Sequence, residues 1–156
     1  FPLGQTTIND KASETKEAIR NGADEIDYVV NLTELKEKNY GYVEREMASI
    51  VETCREAGVI SKVIFENCYL TDQEKEALCR IALEVRPDFI KTSTGFGSGG
   101  ATAADIMLMK RMVGEAAGGI RTLDTALEMI DMGVSRIGST ASVSIVEELK
   151  ARQRES

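Results

Sequence analysis

The chain has 156 residues, 42% hydrophobic and 29% charged, with a formal net charge of −7; this suits one globular domain with a real core and argues against nucleic acid as a partner, since an acidic surface repels phosphates. No histidine occurs, which removes the commonest general base and the usual zinc ligand, and with them a Ser-His-Asp hydrolase and a zinc-dependent aldolase. Cys54, Cys68 and Cys79 have no CxxC spacing and read as reduced thiols of a cytoplasmic protein, and no apolar run or basic leader suggests membrane insertion or secretion.

Phe1 to Gly4 reads as the end of a strand. Ile8 to Asn21 has helical spacing and stops at Gly22. Ile26 to Asn31 is a short β-branched run, hence a strand, and Asp24 and Glu25 before it read as solvated loop charges. Tyr42 to Ala57 is an amphipathic helix closed by Gly58. Ser61 to Glu66 reads as a buried strand around Val63, Ile64 and Phe65. Thr71 to Glu74 has the form of a capping box, opening a helix to about Val85. Asp88 to Thr92 is the next strand, and Thr102 to Asp105 opens a helix reaching Val113. Thr122 caps a helix ending at Gly133, Ser135 to Gly138 is a strand, and a last helix covers Val143 to Gln153.

Strands alternating with helices, without hairpin signals, predict parallel strands joined by crossover helices, an α/β fold. An open doubly wound sheet and a closed (β/α) barrel both satisfy that pattern. Polar residues end several strands: Asp27 and Asn31, Glu66 and Asn67, Lys91 and Thr92, Gly138 to Thr140. That distribution favours a barrel, whose chemistry gathers at strand ends. A complete barrel needs about 250 residues, so residues 1–156 are expected to form a single partial one.

Lys91 lies inside the strand Asp88 to Thr92. A lysine there loses hydration, and desolvation favours the neutral amine that attacks carbonyls; the plainer reading is an ion-paired strand-end lysine. Asp27 lies inside a strand as well, with Lys62 as its plainer partner. Three ionisable groups on three successive strands would converge inside a barrel. Gly118 to Thr122 and Gly138 to Ser142 each precede a helix and supply free N–H groups suited to an anion, although helix capping by Thr and Ser alone also explains them. Gly95-Phe-Gly97-Ser-Gly-Gly100 matches a dinucleotide fingerprint, but too few strands follow it. The ribose-binding acid would have to be Glu115, which ends no apolar strand.

Phe89-Ile-Lys91-Thr-Ser-Thr-Gly-Phe-Gly97, Ala23 to Asp27, Lys62 to Glu66, Gly118-Gly-Ile-Arg-Thr122 and Ser135 to Thr140 occur in the order found in deoxyribose-phosphate aldolases. The chain resembles that family over essentially its whole length. The resemblance implies an incomplete (β/α)8 TIM-type barrel and a class I aldolase without cofactor or metal. Such enzymes reversibly cleave 2-deoxy-D-ribose 5-phosphate to glyceraldehyde 3-phosphate and acetaldehyde. It also implies roles by position. Lys91 resembles the Schiff-base lysine, Asp27 the acid of the proton relay, and Lys62 a further active-site lysine. Gly118, Gly119, Gly138, Ser139 and Thr140 resemble a phosphate cradle, and Thr92 and Thr94 stand in the substrate pocket. Ala141 replaces a frequent serine of the family.

Two departures stand beside this resemblance. The family's first two β/α units have no counterpart here. Only Glu115, Ala116 and Ala117 separate Gly114 from Gly118, too few for a buried strand of about 5 residues. Either Glu115 replaces the second lysine that the family carries on its seventh strand, or that strand is deleted; with so few residues, deletion is expected. A phosphosugar-binding remnant without turnover is the alternative function. The implied partner is a small phosphorylated sugar, with no nucleic acid or membrane, and open strand edges would favour a homo-oligomer.

Overall fold

The computed structural model describes residues 1–113, 118–119, 122–134, 137–138 and 141–155. The elements run α1 (Ile8–Arg20), β1 (Glu25–Val29), α2 (Leu32–Lys36), α3 (Tyr40–Ala57), β2 (Ile60–Ile64), a short 3-10 helix (Asn67–Tyr69), α4 (Asp72–Val85) and β3 (Phe89–Lys91). There follow α5 (Ala103–Val113), β4 (Gly118–Gly119), α6 (Leu123–Asp131), β5 (Ile137–Gly138) and α7 (Ser142–Glu155).

Local hydrogen bonds set the helix starts. Thr7 accepts from Asp10 N, Asn31 from Thr33 N and Glu34 N, and Thr122 from Thr125 N. Thr71 and Glu74 form the reciprocal capping box that the sequence suggested. Thr102 Oγ1 likewise accepts from Asp105 N at 3.1 Å. Each such cap contributes about 1 kcal/mol. At the other end of α3, Gly58 adopts the left-handed φ of 68° that closes a helix without Cβ strain.

The described strands pair in parallel throughout. β1, β2 and β3 form one sheet in that order, and β4 pairs with β5 in a second. Strand–helix alternation with parallel pairing gives an incomplete (β/α) barrel. Along β1 to β3, Ile26, Tyr28, Val63 and Ile90 are buried. They join Val43, Met47, Ile50, Leu78, Cys79 and Ile81 of the covering helices in one core. Full burial of such an aliphatic or aromatic side chain stabilises by about 1.5–3 kcal/mol. The alternate residues Glu25, Asp27, Lys62, Phe89 and Lys91 then share the opposite face, because side chains alternate along a strand. That face is the inner face of a barrel.

Several expectations are corrected. Phe1 to Gly4 forms no strand. Gly4, at φ 69°, passes so close to the end of β1 that an added Cβ would lie 2.6 Å from Val30 O. Helix α2 was absent from the sequence reading, since five residues carry no periodicity. Asn31, expected to end the strand, is instead the N-cap of α2, and β1 stops at Val29. β2 ends at Ile64, not Glu66, because Glu66 turns into the left-handed region at φ 56°. β1 begins at Glu25, which is therefore not a loop charge. The expected deletion of the seventh strand falls on residues 115–117, which lie outside the described residues; the two-residue strand β4 follows at Gly118–Gly119.

Candidate active site

Asp27, Lys62 and Lys91 come together through strand register. Asp27 stands opposite Lys62 in the β1–β2 pair, and Lys91 stands opposite Ile64 in the β2–β3 pair. Lys91 Nζ donates to Asp27 Oδ2 at 2.8 Å, and Lys62 Nζ lies 3.0 Å from Asp27 Oδ1. One carboxylate thus takes a lysine on each oxygen. Lys62 also pairs with Glu25. Sequence reasoning missed Glu25 because its neighbour Asp24 made the pair look like a solvated run. Its i, i+2 spacing from Asp27 on a strand was the available signal.

The lysines are largely covered, at 17% exposure for Lys91 and 16% for Lys62, while Asp27 retains 29%. Burial pushes the Asp27 carboxyl up, but hydrogen bonds and charge from Lys91 and Lys62 outweigh it and hold the group below the ordinary carboxylate value. Burial pulls Lys62 down, but Glu25 and Asp27 outweigh it and raise its pKa. Asp27 is therefore ionised near neutrality, the form that can take up a proton.

A loop after β3 borders this cluster. The β2–β3 hydrogen bonding continues past the strand ends: Phe65 N donates to Lys91 O at 2.9 Å and Asn67 N to Thr92 O at 2.8 Å. Thr92 and Ser93 are fully buried, and the Ser93 hydroxyl donates to Thr92 Oγ1 at 3.1 Å. The Thr94 hydroxyl donates to Glu66 and accepts from Phe96 N at 3.0 Å. Both threonines expected in the pocket thus have intramolecular partners for their hydroxyls. Glu66 was noted in the sequence only as a strand-end polar residue. In the fold it is 3% exposed with left-handed backbone, a conformation that costs a non-glycine residue about 1–3 kcal/mol and clusters at functional sites.

The glycines meet in the second sheet. Gly118 stands opposite Ile137 and Gly119 opposite Gly138, just ahead of α6 and α7. Ser139 and Thr140 lie outside the described residues. Gly95 to Gly100 joins β3 to α5 as a loop. A cavity of about 910 Å³ lies beside β1, lined by the N-terminal segment, α1 and β1; its lining includes Asp27, Glu25 and Lys11 but not Lys62 or Lys91. Among the described residues, β1 is an edge strand, paired only with β2.

No metal-holding group of three or more His, Cys, Asp or Glu is present among the described residues. There too, no helix is long and apolar enough to cross a membrane. The thiols of Cys54, Cys68 and Cys79 are free. Burial pushes Cys54 up to about 11 and Cys79 up to about 12, so neither is a ready nucleophile.

Comparison with known proteins bears on this geometry. Residues 2–138 match the family described as DeoC/LacD family aldolase. A deoxyribose-phosphate aldolase from Lactobacillus acidophilus is 54% identical over 160 residues, covering 99% of this chain and 68% of that protein. One from Bacteroides thetaiotaomicron is 53% identical over 155 residues, covering 96% of this chain and 65% of the relative. The chain therefore spans about two thirds of the length of these relatives. Among solved structures, "QR15, an Aldolase" is 37% identical with a TM-score of 0.91, over 98% of this chain and 71% of that one. A deoxyribose phosphate aldolase from Aeropyrum pernix, described as having a unique tetrameric structure, is 28% identical with a TM-score of 0.86, over 96% and 65% of the two chains.

Proposed function

The chain belongs to the DeoC/LacD family of aldolases, and on that premise we propose that it reversibly cleaves 2-deoxy-D-ribose 5-phosphate to D-glyceraldehyde 3-phosphate and acetaldehyde through a Schiff base on Lys91. The observation that carries the reading is the 2.8 Å contact of Lys91 Nζ with Asp27 Oδ2. It sets a candidate nucleophile against an ionised proton acceptor in a sheltered strand face.

The chemistry follows from that pairing. With its proton passed on, the Lys91 amine adds to the C1 carbonyl carbon of the open-chain sugar. The C1 oxygen takes up protons and leaves as water, giving an iminium. Asp27 is the group assigned to these transfers, directly or through water. Loss of the C3 hydroxyl proton to the Asp27 carboxylate, directly or through water, breaks the C2–C3 bond. The C3 carbonyl departs as glyceraldehyde 3-phosphate, and the electron pair passes into the iminium to give an enamine. Protonation at C2 and hydrolysis then release acetaldehyde and regenerate Lys91. Lys62 acts from the far oxygen of Asp27, keeping that carboxylate ionised.

The sugar phosphate is assigned to the N–H groups around Gly118, Gly119 and Gly138, with Ser139 and Thr140 as further contacts. Helix N-termini that follow such glycines supply the positive end an anion needs, despite the acidic net charge. The proposal includes self-association into a homo-oligomer, supported by the tetrameric Aeropyrum pernix relative. It also includes a cytoplasmic setting, supported by the free thiols.

The test is incubation with acetaldehyde, reduction with borohydride and peptide mapping. A reduced adduct on the Lys91 peptide is expected, and its absence overturns the assignment. Phosphate-ester binding without any adduct or turnover would identify instead a phosphosugar-binding remnant.

A further inference from the structure

Glu66, 3% exposed, is a nearly buried carboxylate next to the Lys91 loop that the chemistry above leaves unused. Its left-handed backbone, φ 56° and ψ 59°, swings the chain off the end of β2. The carboxylate thereby faces the loop that follows Lys91. Thr94 N lies 3.1 Å from Oε1 and 3.3 Å from Oε2, and the Thr94 hydroxyl donates to Oε2 as well. Phe96 N continues the chain of bonds by donating to Thr94 Oγ1 at 3.0 Å. On the far side, a Cβ added to Gly97 would meet Glu66 Oε1 at 3.1 Å and Cys68 Sγ at 2.7 Å, so the loop closes tightly over the carboxylate.

We propose that Glu66 is a positioning residue for the aldolase reaction: by gripping Thr94 it clamps residues 92–97 and so fixes the strand end that presents Lys91 to the substrate. The inference rests on the Schiff-base reading of Lys91. Glu66 does not touch the reacting atoms. Its effect passes through the loop, where a displacement near 1 Å is enough to cost about a hundredfold in rate.

The experiment compares the full chain with Glu66→Ala, Glu66→Gln and Gly97→Ala, each checked for native circular dichroism. Amide exchange at Thr94 and Phe96 is measured alongside kcat and KM for deoxyribose-phosphate cleavage. Glu66→Ala is expected to speed exchange of both amides and lower kcat about tenfold or more, with KM nearly unchanged. Glu66→Gln, which keeps an acceptor oxygen for Thr94 N, recovers most of both. Should Glu66→Ala not fold, Gly97→Ala disturbs the same clamp from the other side and takes its place. Wild-type amide protection, or wild-type kcat, in the folded variant overturns the proposal. If the parent chain forms no imine on Lys91, the functional reading fails and the positioning role in that reaction fails with it. A parent that turns over beside an unaffected variant overturns the positioning role alone.

Discussion

Lys91 Nζ donates to Asp27 Oδ2 across 2.8 Å, although the two residues lie on strands β1 and β3, which do not pair with each other. Strand β2 lies between them and supplies Lys62 to the other oxygen of the same carboxylate. A single acid is thus shared by two lysines, one of which, Lys62, also pairs with Glu25.

Replacing Lys91 with Ala removes the proposed nucleophile. Deoxyribose-phosphate cleavage is expected to fall by about a thousandfold or more, and the acetaldehyde–borohydride adduct should vanish from this peptide. Persistence of a stoichiometric adduct on another lysine would contradict the assignment.

Asp27→Asn keeps the shape but loses the charge. Cleavage is expected to drop by about 10²–10⁴-fold, the range for a general acid–base group. The variant should also show a distinct pH response. The folded Asp27 pKa lies below its ordinary 3.8, so its stabilising contribution is present above about pH 4 and is lost as pH falls through the folded value. In urea unfolding, wild type should exceed Asp27→Asn in stability at pH 7, and the gap should close in acid. A gap that stays constant down to pH 2 would remove Asp27 from the linkage.

Away from the site, Lys11 and Glu46 make a 2.7 Å ion pair at 6% and 0% exposure. Lys11 also donates to Val29 O at 2.7 Å, and Glu46 accepts from Asn31 N at 2.9 Å. Burial disfavours both charges, pulling Lys11 down and pushing Glu46 up. Lys11→Met would strand the Glu46 carboxylate and is expected to cost about 3–5 kcal/mol. Adding Glu46→Leu should then cost less than the second single change alone. Denaturant unfolding of the four-member cycle measures this, and simple additivity would show that the pair is uncoupled.

Thr71→Ala breaks the capping box of α4, in which the Thr71 side chain accepts from Glu74 N and Glu74 accepts from Thr71 N. A loss of about 1 kcal/mol is expected, read as a lowered urea midpoint at unchanged slope. Because the bonds of this cap lie within the first turn of α4, KM for the sugar phosphate should not move.

Gly138→Asp would set a carboxylate at the strand end assigned to phosphate. KM for deoxyribose 5-phosphate is expected to rise about tenfold or more by like-charge repulsion, while borohydride trapping of unphosphorylated acetaldehyde on Lys91 continues. Equal loss of both would place Gly138 in general folding rather than in phosphate binding.

How much of this could be read in advance depended on range. The starts of α4, α5 and α6 were legible because Thr71, Thr102 and Thr122 bond within their own first turns. Helix α2 was not, since five residues make too little pattern. Glu25 looked solvated because its partner Lys62 is far away in the chain. Glu66 looked like one more strand residue because its left-handed turn leaves no trace in composition.

The sequence by itself determined the alternation of helices and strands, the motif set that ties the chain to an aldolase family, and Lys91 as the residue to test. Those features are local, written in caps, β-branched runs and short contiguous motifs. The sequence also put Asp27, Lys62 and Lys91 on three successive strands, with Lys62 as a partner for Asp27; only the tertiary structure decided which oxygen each lysine takes and that Glu25 joins them. The pairing of Asp27 with Lys62 and Lys91, and the hold of Glu66 on Thr94, depend on parallel register between strands distant in the chain. A slip of one residue in that register would turn every side chain of a strand to the opposite face, and nothing local to Lys91 specifies it.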